Sequence, residues 1–63
     1  MNDNIELIKQ NYASFVEDVT KFQEKGTAAA ASRARKSLLA IGKTVRTLRK
    51  QIQEKKKELK AAS

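Results

Sequence analysis

The chain has 63 residues, a net charge of +7 and three aromatic residues, Tyr12, Phe15 and Phe22. It contains no cysteine and no histidine, which excludes disulfides, zinc sites and the usual catalytic triads, so we expect no enzymatic activity, no metal, no cofactor and no small-molecule substrate. No apolar run approaches the ~20 residues that span a bilayer, and the N-terminus does not resemble a signal peptide. We therefore expect one small intracellular domain over residues 1–63, near the lower size limit for a self-sufficient core.

The first predicted element is a helix over about residues 3–25. Its apolar residues follow one another at alternating steps of three and four: Ile5, Ile8, Tyr12, Phe15, Val19 and Phe22. This spacing is typical of an amphipathic helix with a coiled-coil-like seam, and it predicts that the aromatic side chains belong to the core. Asp3 and Glu6 have the spacing of a capping box, so Asn2 or Asp3 is the predicted N-terminal cap.

A turn at residues 26–27 and a second helix over about residues 28–60 follow. Gly26 can adopt the left-handed conformation that ends a helix, and Thr27 can cap the next one. The second helix has its own apolar row: Ala31, Ala34, Leu38, Ile41, Val45, Leu48, Ile52 and Leu59. So short a link predicts an all-α, two-helix antiparallel hairpin. The two rows then match in six apolar layers, from Phe22 on Ala31, through Tyr12 on Ile41, to Ile5 on Leu48.

The predicted hairpin leaves apolar residues without partners. Ile52 and Leu59 lie beyond the end of helix 1, and a hairpin of this size buries little surface. We therefore predict a homodimer with a four-helix arrangement, in which the following side chains find partners: Leu7, Val16, Leu39 and Ile52. Gly42, in the middle of helix 2, has two interpretations: close approach by a second backbone, from a dimer mate or DNA, or simple tolerance of a weak helix former.

The charge is divided between the two helices. Residues 1–25 hold three basic and five acidic residues, for a net charge of −2, whereas residues 26–63 hold eleven basic and two acidic residues, for a net charge of +9. Lys36, Lys43, Lys50 and Lys57 are spaced seven apart and share one line along helix 2. A merely solvated helix usually carries compensating glutamates, which are nearly absent between Gly26 and Gln53, so the pattern favours a polyanionic partner over a solvated face.

Phosphates are the partner that such a row suits best, because phosphate contacts place little demand on geometry. Arginines on this helix can add forked hydrogen bonds, and hydroxyls near its N-terminus can help to hold a phosphate at the hairpin tip. The predicted DNA-contacting residues are Thr27, Ser32, Arg33, Arg35, Lys36, Lys43, Arg46, Arg49, Lys50, Lys56 and Lys57. No aromatic residue lies on this face and amide side chains are scarce, which favours backbone binding with little sequence preference. The alternative is a coiled-coil interaction module whose basic face binds an acidic protein; a membrane-surface helix is disfavoured because helix 1 already matches the apolar row.

The segment Gly26-Thr27-Ala28-Ala29-Ala30-Ala31-Ser32-Arg33-Ala34-Arg35-Lys36-Ser37-Leu38, followed by Leu48-Arg49-Lys50, resembles the bacterial linker-histone-like family, named for the histone-like protein of chlamydiae. The resemblance extends loosely over most of the chain. It implies a small cytoplasmic, nucleoid-associated protein that binds and compacts double-stranded DNA, with these residues facing the DNA: Arg33, Arg35, Lys36, Arg49 and Lys50. The chlamydial members continue into a long lysine- and alanine-rich tail, whereas this chain has only a short basic stub, so we expect compaction to come from the helical dimer, by bridging or bending.

Overall fold

The computed structural model describes residues 1–62, with the side chains of residues 1–61, and consists of two antiparallel helices. Helix α1 spans Asn2–Lys25 and helix α2 spans Ala28–Ala62. The described residues contain no strand, and together they form a rod 55 Å long and 14 Å wide. The all-α helical hairpin predicted from the sequence is confirmed.

The reversal between the helices needs only two residues because Gly26 is left-handed. Its φ is 64° and its ψ is 25°, a conformation that a residue with a Cβ atom adopts only at a cost. The Gly26 N–H donates to the carbonyl oxygen of Phe22 at 2.8 Å, and the Ala31 N–H donates to the carbonyl oxygen of Thr27 at 3.2 Å. Each helix therefore ends or begins on a backbone hydrogen bond, and the chain turns back at once.

The N-terminus of α1 differs from the prediction. Met1 is the N-cap, and no side chain makes a capping hydrogen bond. The N–H groups of Asn4 and Ile5 instead donate to the Met1 carbonyl oxygen, at 3.1 Å and 3.2 Å. The prediction that Asn2 or Asp3 caps this helix is wrong, because the helix starts at Asn2 and includes both residues. Asp3 still lies in the first turn, where a carboxylate interacts favourably with the helix dipole.

The contact between the helices is narrow. Among residues 1–61, only Ala30 and Ala34 are buried. The larger seam residues are half-buried: Ile8, Phe15, Val19, Ile41 and Leu48. The alanines sit near the turn, where small side chains allow the two backbones to approach closely. The core therefore consists of one row of side chains from each helix.

The seam is rotated relative to the predicted apolar rows. Tyr12 is 60% exposed and Leu38 is 49% exposed, whereas the polar residues Asn4, Asn11 and Asp18 are half-buried. The expectation that all three aromatic residues and all six layers lie in the core is wrong: Phe15 lies in the seam, but Phe22 is also exposed. An apolar stripe wider than one seam leaves an edge outside when only two helices pack together.

Two polar contacts join the helices on the side of the seam that carries the half-buried polar residues. The Asn4 side-chain amide donates to the Gln51 side-chain oxygen at 3.2 Å, and Nε of Arg33 donates to Oδ1 of Asp18 at 3.1 Å. One contact lies near the open end of the hairpin and the other near the turn. Together they join α1 to α2 along one side of the seam.

The two sides of the hairpin consequently differ in character. In facing antiparallel helices, a step of one residue turns both helices toward the same side, by about 100°. The polar side carries six half-buried residues, each of which immediately precedes a member of an apolar row in the sequence: Asn4, Asn11, Asp18, Ser37, Thr44 and Gln51. The opposite side carries exposed apolar residues, which we call the apolar face: Ile5, Tyr12, Val16, Leu38, Val45 and Ile52. The hairpin is amphipathic across its width as well as along each helix.

Candidate nucleic-acid interface

The outer side of α2 carries a row of cations that the hairpin leaves in solvent. We call it the basic ridge, and it consists of Arg35, Lys36, Lys43, Arg46, Arg49, Lys50, Lys56 and Lys57. All eight residues are exposed. The four lysines spaced by seven residues follow one another every ~10.5 Å along the helix axis. The helix thus presents regularly spaced positive charges over most of its length.

The charges of the basic ridge are not compensated within the hairpin. Among the side chains described, those of residues 1–61, none forms a hydrogen bond or an ion pair with a ridge side chain. Two lysines of α1 behave differently: Lys21 lies 3.2 Å from Glu17, and Lys9 lies 3.9 Å from Glu6. The excess positive charge of the chain is therefore concentrated on one side of one helix.

Arg33, a predicted DNA-contacting residue, has a structural contact as well. Its Nε bonds to the Asp18 carboxylate across the hairpin, and the Asp18 side chain is only 14% exposed. The Arg33 side chain remains 54% exposed, so its guanidinium group is still accessible to an anion. Sequence patterning did not identify Asp18 as its partner, although the predicted register brings these two opposite charges close to the same level of the hairpin.

The two hydroxyl residues of the predicted site lie apart. Thr27 is exposed at the turn and its carbonyl group starts α2. Ser32 is exposed five residues later and, being four residues before Lys36, lies in line with the lysines of the basic ridge. Arg33 follows Ser32 by one residue and therefore projects about 100° away from it, toward α1. The structure places Ser32 with the ridge, and it does not gather Thr27, Ser32 and Arg33 around one point.

This arrangement suits the recognition of phosphate groups more than the recognition of bases. The described part of α2 has no aromatic side chain that could stack on a base. Gln51 is half-buried and hydrogen-bonded to Asn4, which leaves Gln53 as the exposed amide side chain of the helix. Neither helix, over the residues described, has a stretch long and apolar enough to cross a membrane. The chemistry that the ridge offers is charge attraction and hydrogen-bond donation to a polyanion.

A comparison with known families identifies the type of protein. The model of the family described as "Histone H1-like protein Hc1" matches residues 2–58, which includes all of α1, the turn and most of α2. The matched region contains all eleven predicted DNA-contacting residues. The resemblance seen in the alanine- and arginine-rich segment is thereby confirmed. No match is found among curated proteins or among solved structures.

Proposed function

Since this chain belongs to the family of histone H1-like protein Hc1, a family of histone-like, DNA-binding nucleoid proteins rather than enzymes, we propose that it binds double-stranded DNA along the basic ridge of α2. In this proposal the ridge contacts the sugar–phosphate backbone, and the protein shows little sequence preference. A DNA-binding protein of this kind is associated with the nucleoid in the cytoplasm. The protein would act as a homodimer that coats, bridges or compacts the duplex.

The observation that carries this proposal is the uncompensated charge of the ridge. Residues 26–63 have a net charge of +9, and the exposed ridge side chains have no acidic partner within the described hairpin. A duplex carries one negative charge for every ~1.7 Å of its axis, and its condensed counterions are released when cations replace them. A straight row of lysines is sufficient for this, because each contact is essentially a point charge.

The remaining predicted site residues have secondary roles in this proposal. Ser32 extends the lysine row by one hydroxyl donor toward the turn. Arg33 contacts phosphate while its Nε holds Asp18, so that it couples the bound strand to the hairpin. Thr27 lies at the hairpin tip, where the first N–H groups of α2 lack helical partners.

The test is a titration of the protein into two duplexes of unrelated sequence, each about thirty base pairs, or three helical turns. Fluorescence anisotropy at several salt concentrations gives the affinity for each. We expect similar affinities for both sequences. If a dimer neutralises about eight phosphates, the logarithm of the binding constant falls against the logarithm of salt concentration with a slope near −7.

The contrary outcomes have different meanings. A slope near zero would rule out the electrostatic mechanism even if binding were observed. Absence of binding at low salt would leave the basic ridge for an acidic protein, and capture of acidic partners would be the next experiment. A preference of several orders of magnitude for one duplex would contradict binding through the backbone.

A further inference from the structure

The apolar face is a feature of the hairpin that DNA binding does not use. Both helices contribute exposed residues to it, such as Ile5 and Tyr12 on α1 and Leu38 and Val45 on α2. Over the side chains that the structure describes, the buried core consists of two alanines, Ala30 and Ala34, which is far less than a small domain needs for stability. The apolar residues on this side of the seam are therefore exposed to solvent, and no other part of the described hairpin covers them.

We propose that the apolar face binds the apolar face of a second copy of this chain, in an orientation that lays α1 of each copy on α2 of the other. This proposal deepens the proposed function, on which its last consequence rests. It specifies which faces meet, how the two copies are oriented and where the two basic ridges lie in the dimer.

Charge selects the orientation. Two copies can join these faces about a two-fold axis that runs parallel to the helices, or about one that lies in the interface and runs perpendicular to them, which we call the crossing axis. The crossing axis places α2 against α2 at an interaxial distance of about 8–10 Å, with Arg35, Arg49 and Lys56 of both copies beside the contact. The axis along the helices places the region of charge +9 on the region of charge −2 instead. Like charges side by side cost energy, so the second arrangement is favoured.

Gly42 fits this arrangement. It lies in the same seven-residue row as Arg35 and Arg49, which borders the apolar face, and it interrupts the row between these two long side chains. A Cβ atom built on Gly42 meets no atom of the hairpin within 4 Å, so the hairpin itself does not require a glycine there. The predicted register places Tyr12 nearly level with Gly42, and an axis along the helices keeps this level between copies. The large exposed ring of Tyr12 then faces the residue with no side chain on the second copy.

The orientation has a consequence for DNA. When α1 of each copy lies on α2 of the other, the two α2 helices are diagonal to each other in the four-helix body. Their outer sides, which carry the basic ridges, face in opposite directions. One dimer therefore presents two DNA-binding surfaces back to back and joins two duplexes.

Self-association without DNA is the first measurement. Sedimentation equilibrium of the full chain should give twice the 7.1 kDa mass of one copy at micromolar concentration. The double variant Leu38→Gln and Val45→Gln should weaken association at least tenfold. Leu39→Gln is the matched control, because Leu39 is the adjacent leucine, is 62% exposed and lies off the apolar face. It should leave the mass unchanged. The proposed interface therefore excludes Leu39, although the sequence predicted that this residue finds a partner in the dimer.

A second variant separates loss of the interface from loss of folding. Gly42→Gln introduces a better helix former into α2 but fills the space that faces Tyr12 of the second copy. Circular dichroism should show helix content equal to or above that of the parent, while association weakens at least tenfold. A monomeric parent, or equal effects of the Leu38/Val45 and Leu39 variants, would overturn the proposed interface. Undiminished association of Gly42→Gln would overturn the close approach of Tyr12.

The orientation has its own measurement. Because the chain lacks cysteine, Ala29→Cys carries one spin label next to the turn of each copy. With the axis along the helices, both turns lie at the same end and the labels should be within about 20 Å of each other. With the crossing axis they should be separated by roughly the length of α1, about 36 Å, or more. The longer distance would overturn the orientation.

The final experiment asks whether an immobilised duplex captures a second, labelled duplex. The parent and Leu39→Gln should capture it, whereas the Leu38/Val45 variant should bind single duplexes and show at least tenfold weaker capture. Formation of the predicted dimer without any DNA binding would defeat the proposed function and leave the interface standing. DNA binding by a monomer would defeat the interface and leave DNA binding standing.

Discussion

The two helices of this hairpin use charge in opposite ways. In α1, lysines and glutamates one turn apart form ion pairs, such as Lys21 with Glu17, and residues 1–25 carry a net charge of −2. In α2, cations recur every seven residues with almost no acid among them until Glu54. The same residue type, lysine, is therefore paired with a glutamate one turn away at Lys9 and Lys21 of α1, and has no acidic partner within the described hairpin at the lysines of the basic ridge. The positions of the counter-charges therefore matter more than the net charge for where a polyanion can bind.

Removal of the same amount of charge from each helix should separate their roles most clearly. Lys43→Gln with Lys50→Gln removes two positive charges from the ridge, and Lys9→Gln with Lys21→Gln removes two from α1. In the proposed dimer each duplex meets one ridge. At about 0.1 M salt each phosphate contact contributes roughly a factor of eight to affinity, so the loss of two contacts from that ridge should weaken the binding of a duplex about 60-fold. The salt slope should also become shallower by about 0.9 for each phosphate that the variant no longer neutralises.

The α1 variant is the control for net charge, since it has the same formal charge as the ridge variant. Its affinity should fall by less than about threefold, which corresponds to the weak long-range effect of charges beyond a Debye length. Fluorescence anisotropy measures both. Equal effects of the two variants would show that only total charge matters and that α2 has no special role.

The turn between the helices is the next target, because it joins α1 and α2 into one hairpin. Gly26 has a φ of 64°, and a Cβ atom at this position costs roughly 1–2 kcal/mol. Gly26→Ala should lower the free energy of unfolding by about 1 kcal/mol, measured by urea denaturation at fixed protein concentration.

Two further substitutions at Gly26 test this cause. Asparagine tolerates the left-handed region and should cost less than alanine, whereas the β-branched valine should cost more. The order asparagine, alanine, valine is diagnostic of backbone conformation. If all three variants were as stable as the parent, the left-handed turn would not contribute to stability.

A smaller effect is expected at Asp18, the acidic residue of α1 that pairs with Arg33 of α2. Asp18→Asn removes the partner of Arg33 and should destabilise the hairpin by less than about 1 kcal/mol, since the arginine side is half exposed and screened by water. Glu17→Gln is the matched control, because it removes the same charge but breaks only a pair within α1. That pair is of the exposed kind worth about 0.3–0.5 kcal/mol.

Thermal denaturation at low and high salt distinguishes these two variants. The Asp18 variant should be less stable than the Glu17 variant, and the gap should close as salt rises. A larger destabilisation by Glu17→Gln would show that the contact across the hairpin is weaker than the contact within α1.

The sequence predicted the elements better than it predicted their rotation. The turn follows from Gly26, and the two helices follow from seven-residue periodicity, because both signals are local. The seam does not follow, because the apolar rows are wider than a two-helix contact. Which edge of each row faces inward depends on side-chain contacts such as Asn4 with Gln51, which hydrophobic periodicity cannot detect.

The candidate site shows the same division. Its members are exposed cations on a helix, and spacing alone places Lys36, Lys43 and Lys50 on one line. The pairing of Arg33 with Asp18 needs the distance between two helices, which a sequence pattern does not contain. The contacts of these residues with DNA remain predictions that the binding experiments above address.

The straightness of α2 has a consequence for stoichiometry. From Lys36 to Lys57 the lysines of the ridge extend over twenty-one residues of one uninterrupted helix, or about 32 Å. One turn of the double helix rises about 34 Å in 10 to 10.5 base pairs, so the lysine row matches close to one helical repeat, whereas the whole 55 Å rod covers about sixteen base pairs. A single row of chains laid end to end along a duplex should therefore carry about one chain for every sixteen base pairs, and the cell would need to make the protein in proportion to the length of its chromosome.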